Sequence, residues 1–155
     1  GMQIAVIEFA RHVLGLTDAH SGEFDEQCAH RVIDFMPGQS EEVAKGGTLR
    51  LGSYPCRITA GTMMEKCYEK QMIQERHRHR YEFNNEYRET LIQHGLVISG
   101  TSPDDRLVEA VELGNHPFFV GVQFHPEFKS RPNQAHPLFK GFVSASLEQK
   151  KRLTE

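Results

Sequence analysis

The stretch GVQFHPEF, residues 121–128, stops an apolar run at His125 and places Glu127 two residues further on. That pairing suits proton transfer. A carboxylate on one imidazole nitrogen fixes the tautomer and supports positive charge on the ring, and the other nitrogen is left to take a proton from a Ser or Cys. Pro126 cannot continue a β-ladder, so the backbone turns out of the sheet there. A histidine at the C-terminal end of a buried strand also stands where α/β folds place their ligand crevice. The same three letters describe a strand-end histidine with a Pro turn and a solvated glutamate, which is the commoner case. A second His-Pro pair, at His116, reads as loop.

Other reactive side chains offer less. Nine histidines are scattered, and only RHRHR at 76–80 clusters them. No Cys or carboxylate pattern accompanies that cluster, so no metal site is expected. It reads as a basic surface strand, with nucleic-acid binding through Arg76, Arg78 and Arg80 as the rival. One five-residue cluster in a chain of net charge -3 is a weak footprint for that rival. The three cysteines, Cys28, Cys56 and Cys67, are an odd number at unrelated spacings. They fit a reducing cytoplasm better than a disulfide framework or a zinc site.

The elements that must position His125 and Glu127 are those of one mixed α/β domain, for which 155 residues suffice. No run approaches the ~18 apolar residues of a membrane span, and the first fifteen residues carry no signal-peptide pattern. Apolar residues from Ile4 to Leu14 recur at three and four, and Gly15 follows, which predicts a helix over 2–14. HRVIDFM (30–36) suits a strand and PGQSEEVAKGG (37–47) a polar loop. TLRLGSYPCRIT (48–59), broken by Gly-Ser and Pro55, predicts two short strands. A short helix follows around 62–70. Asn84 or Asn85 caps a helix through EYRETLIQH that Gly95 terminates. LVISGTS and RLVEAVEL read as two strands joined by a Pro-Asp turn. FFVGVQF (118–124) reads as a fully buried strand, and PLFKGFVSASLEQKKR as an amphipathic closing helix.

GVQFHPEF resembles the His-Glu motif of the class I, triad-type glutamine amidotransferases. TLRLG (48–52), ERHRHRYEFN (75–84), FHPEFKSRPNQAHPLFKGFV (124–143) and the opening GMQIAVIEFARHVLGL resemble the glutaminase domain of the CTP synthases within that superfamily. The resemblance covers essentially the whole chain. It implies an α/β, flavodoxin-like three-layer sandwich with a central, mostly parallel sheet, and residues 1–155 as a partial glutaminase domain lacking its N-terminal strands. In that family the nucleophile elbow reads Gly-Ile-Cys-Leu-Gly-Met-Gln, and Gly1, Met2 and Gln3 align with its last three residues.

By the same resemblance His125 is the general base and acid, and Glu127 its orienting partner. Gly1, Met2, Gln3, Glu23 and Arg80 form the glutamine pocket. Glu23 suits the substrate ammonium and Arg80 offers donors, although a solvated loop carboxylate and a surface arginine are the plain alternatives. The partners implied are L-glutamine and a synthase domain, with no nucleic acid and no membrane, in the cytoplasm. No cofactor belongs to this domain, while the parent enzymes use ATP and Mg2+ to aminate UTP and take GTP as activator. The nucleophile cysteine would fall two residues before Gly1. The chain is therefore expected to be silent alone, with a non-catalytic pseudo-glutaminase that binds or regulates a synthase as the alternative.

Overall fold

A computed structural model describes residues 1–35 and 49–154. The loop expected at 37–47 lies outside the described residues. Helix α1 (Met2–His12) buries Met2, Val6, Ile7 and Ala10 on the face that the three-and-four spacing foretold. Short strands β1 (His20–Ser21) and β2 (Arg31–Asp34) follow. They pair in parallel, and β2 pairs antiparallel with β5 (Glu82–Phe83).

The larger sheet has five strands. β3 (Arg50–Ile58) and β4 (Met72–His79) flank the six-residue helix α2 (Met63–Tyr68). After helix α3 (Arg88–Gln93) come β6 (Leu96–Thr101), β7 (Val108–Leu113) and β8 (Val120–Val122). Their order is β4-β3-β6-β7-β8, and every pairing is antiparallel. The expected mostly parallel central sheet is thus corrected: among the described residues the one parallel pair is β1–β2. The connections explain this, because β6 and β7 are joined by the tight turn at Ser102–Asp105, which antiparallel neighbours allow and parallel ones do not. Helix α4 (Pro137–Thr154) ends the described chain.

Two further expectations change. Residues 50–58 form one strand, not two. The Gly-Ser break is Gly52 at φ +109 inside a continuous strand, and Pro55 is tolerated because β6 pairs with β3 only at Arg57 and Ile58, which leaves Pro55 with β4 as its one strand neighbour among the described residues. β8 is a half-buried edge strand of three residues, not a fully buried one. The predicted helix at 84–94 opens as a 3-10 turn, with Asn84 Oδ1 accepting from the Glu86 N–H, and α3 stops at Gly95, φ +102.

Apolar burial falls into two clusters. One joins α1 to Val32, Ile33, Phe83, Leu96 and Val111. The other joins Cys56, Met64, Ile73, Ala110, Phe124 and Leu138. Alternation along β7 sends Val111 to the first and Ala110 to the second. Glu112, 5% exposed, uses its carboxylate to accept from the Met63 and Met64 N–H groups at the start of α2.

Candidate active site

His125 stands just past the end of β8. Its backbone N–H donates to the Arg76 carbonyl on β4 (2.9 Å), and residues 126–128 then make one 3-10 turn with Pro126 at its start. That turn folds Glu127 back. His125 Nδ1–H donates to Glu127 Oε1 at 2.7 Å, which leaves Nε2 as the unprotonated nitrogen, without a partner among the described residues. The Phe128 ring stacks on the imidazole, centroids 5.2 Å apart. Partial burial pushes the Glu127 carboxyl up, but the hydrogen bond from His125, its own backbone N–H and the His125 and Arg78 charges together hold the group below the ordinary value.

A cavity of about 720 Å³ opens on this pair and is lined also by Gly1, Met2, Gln3 and Gln123. A second, of about 280 Å³, holds Gln3, Glu23, Arg78 and Arg80. Gln3 and His79 line both. The seven residues singled out from the sequence therefore surround two cavities with a shared wall: His125, Glu127, Gly1 and Met2 in the larger, Glu23 and Arg80 in the smaller, and Gln3 in both. A larger space of about 900 Å³ lies around Tyr68, Glu75, Lys129 and His136. It contains neither His125 nor Glu127, so chemistry and not volume selects the site.

No cysteine lines either of the first two cavities. Burial pushes all three thiols up, Cys56 to about 12, so none of them is poised as a thiolate.

Behind the shared wall lies a polar network that the sequence reading missed. Arg50 Nη1 reaches Glu82 Oε1 at 3.2 Å and Nη2 reaches Glu109 Oε1 at 2.7 Å, with all three side chains buried. His79 Nδ1–H donates to the Tyr81 carbonyl (3.1 Å), so its Nε2 is an acceptor, and His77 Nδ1–H donates to that atom at 2.8 Å. Burial, helped by the Arg50 charge, pushes His77 down to about 3 and His79 down to about 4. Both rings are neutral. Burial also drives Glu82 up to about 7 against the pull of Arg50, and raises Glu109. The signal for β4 was its alternation: Ile73, Glu75 and His77 are buried, while Met72, Gln74, Arg76 and Arg78 are exposed.

A histidine held by a glutamate at a strand end, beside a cavity open to the start of a helix, is an arrangement suited to proton transfer. The family model "Glutamine amidotransferase class-I" matches residues 1–145, and the chain belongs to that family. Its similarity is more particular than that. It is 62% identical over 146 residues to the CTP synthase of Moorella thermoacetica, covering 94% of this chain and 27% of that protein. It is 64% identical over 147 residues to the CTP synthase of Rubrobacter xylanophilus, covering 95% and 26%. The solved Trypanosoma brucei CTPS glutaminase domain with bound acivicin superposes with a TM-score of 0.89 at 40% identity, over 96% of this chain and 58% of that one. The chain spans about 27% of the length of the curated relatives it matches.

Proposed function

We propose that this chain is the portion of a CTP-synthase-type glutaminase that carries the His-Glu half of the hydrolytic site, and that its ammonia serves the amination of UTP to CTP. The observation that carries the reading is the 2.7 Å pair of His125 Nδ1 and Glu127 on a cavity it shares with Gly1, Met2 and Gln3. The thiol comes from the segment that precedes Gly1 in the complete enzyme, where helix α1 begins.

The chemistry then follows. His125 Nε2 takes the thiol proton, and the thiolate attacks the side-chain amide carbon of glutamine. The C–N bond breaks as the imidazolium returns that proton to the leaving nitrogen, which departs as ammonia and leaves a γ-glutamyl thioester. Water, deprotonated by the same Nε2, attacks the thioester, and glutamate leaves as the thiol recovers its proton. Glu127 holds the ring in the required tautomer throughout. Glu23 and Arg80, facing one cavity with Gln3, supply opposite charges for the substrate ammonium and carboxylate. Residues 1–155 are in this reading one partial domain of a three-layer glutaminase. It needs no cofactor of its own, since ATP, Mg2+ and GTP belong to the parent enzyme.

The test is glutamine hydrolysis by the chain alone and by the chain extended upstream through a cysteine-bearing elbow. The chain alone should match its His125→Ala variant. The extended chain should turn glutamine over, and His125→Ala should abolish that. Turnover by the lone chain above its control, or no gain on extension, would sink the proposal. A second reading, a non-catalytic module that binds a synthase, is favoured by one observation: no thiol lies at the cavities and all three are pushed away from the thiolate form. Failure to gain activity on extension is the result that would select it.

A further inference from the structure

Gln3 and Gln123 come from opposite ends of the sequence and meet at one backbone carbonyl. Gln3 Nε2 lies 3.0 Å from the Tyr81 oxygen and 3.3 Å from Gln123 Oε1. Gln123 Nε2 lies 3.0 Å from the same Tyr81 oxygen and 3.2 Å from Glu82 Oε2. A carbonyl oxygen can only accept, so the atom facing it must be nitrogen in both side chains. Both amide orientations are thereby fixed by their partners. Each Nε2 has two hydrogens and each spends both. Gln123 Oε1 is spent on Gln3, whereas nothing donates to Gln3 Oε1 among the described residues. Gln3 lines both cavities, and the group it can offer there is an acceptor, never a donor.

We infer that Gln123 is a positioning residue for the glutamine site: supported from below by Glu82, it locks the Gln3 amide so that Oε1 accepts an N–H of the bound amino acid. This rests on the glutaminase reading given above. Gln123 is 6% exposed and Glu82 is 2% exposed, so the lock is held where water does not compete. Without it the Gln3 amide is free to turn over and show the ligand N–H groups, which repel an ammonium or a carboxamide nitrogen. Arg50 takes the other oxygen of Glu82, so the lock is continuous with the buried ion pairs.

The experiment uses the 155-residue chain and its Gln123→Met variant, which keeps length and loses all three side-chain polar contacts. The first readout needs no ligand. In nitrogen-proton spectra the Gln3 side-chain amide, identified by its loss in Gln3→Leu, should be a pair of protons shifted from the positions of solvated glutamine amides and slow to exchange with water in the wild type, and a pair at those solvated positions with faster exchange in Gln123→Met. The backbone spectrum outside residues 1–5, 79–83 and 121–125 should be unchanged. The second readout is L-glutamine titration, with about a tenfold or greater loss of affinity expected in the variant. L-glutamate tells which N–H is read: a parallel loss points to the ammonium, and a loss for glutamine alone to the carboxamide.

Rescue separates positioning from bulk. In Gln123→Glu a protonated carboxyl restores one donor and one acceptor, while the ionised form faces Glu82. Arg50, His79 and Glu109 are the other titratable groups packed on this cluster. Affinity relative to wild type should therefore recover on acidification for Gln123→Glu and not for Gln123→Met. An unrestrained Gln3 amide in the wild type, or one unmoved by Gln123→Met, overturns the inference. A wild-type chain that ignores glutamine while its Gln3 amide is locked counts against the glutaminase reading of the cavity, and with it the recognition half of the inference.

Discussion

The His125 backbone N–H and the Arg76 carbonyl are joined at 2.9 Å, which docks the His-Pro-Glu turn on the open edge of β4. Two residues along, Lys129 Nζ donates to the Gln74 carbonyl at 2.5 Å. Alternate carbonyls of an edge strand are thus occupied by the turn that carries the site, which also blunts that edge against pairing with another chain. Lys129→Ala should leave global stability within about 1 kcal/mol, because the contact is exposed. It should speed hydrogen exchange at the His125 amide by loosening its clamp. Unchanged exchange there would mean that the Arg76 bond alone holds the turn.

Arg50 is placed between two buried carboxylates, Glu82 and Glu109. Arg50→Met takes the shared partner from both carboxylates at once and should cost about 3–5 kcal/mol, since uncompensated buried charge is left. For a chain of this size that is roughly a 10 °C fall in Tm. Arg50→Lys should recover only part of it, because an ammonium cannot fork to two carboxylates. Thermal denaturation of the two variants decides this, and equal losses would show that the fork itself contributes nothing.

The His125–Glu127 relationship was legible because it is local: two residues and a proline fix it. The network behind it was not. ERHRHR looks like a solvated strand, since charged side chains are seldom buried unless paired, and the partners that pair them come from β3, β5 and β7. Glu109 is 59 residues from Arg50, and no spacing rule reaches that far. FFVGVQF failed differently. An apolar run reports burial, but not how many strands flank it, and β8 gains its cover from α1 on a sheet edge. The antiparallel pairing of the large sheet was in principle readable from its hairpin at Ser102–Asp105. The parallel expectation came from the family likeness and not from the residues.

Opposed titrations should give this chain an unusual stability profile. Glu82, pushed up to about 7 from an ordinary 4.5, keeps in the folded state a proton that the unfolded chain releases. Its contribution is full below the ordinary value and is lost as pH rises through about 7. His77 and His79, pushed down to about 3 and about 4, act the other way. Their contribution is full above the ordinary 6.5 and is lost as pH falls through the folded values. Glu82→Gln should remove only the first slope. Urea denaturation from about pH 5 to about pH 8 should show the wild type losing stability relative to the variant as pH rises. A constant difference would mean that Glu82 is ionised across the whole range.

Gly121 in β8 tests how closely α1 must approach the sheet for the site to form. A Cβ there would lie 3.2 Å from the Met2 Cα and 3.3 Å from Val111 Cγ2, both tighter than ordinary contact. Met2 is fully buried and the obstructing atom is backbone, so no flexible side chain can swing away. Gly121→Ala should therefore cost about 1–3 kcal/mol as an overpacked contact. It should also tilt the start of α1 and weaken the Gln3 bonds to Tyr81 and Gln123. Gly114→Ala is the control: its Cβ would meet only Val97 Cγ2, at 4.0 Å, and stability should barely change. Thermal melts and the Gln3 amide spectrum together give the answer. If the two alanines behave alike, α1 yields without cost, and the wall shared by the two cavities is softer than the packing of Met2 on Gly121 requires.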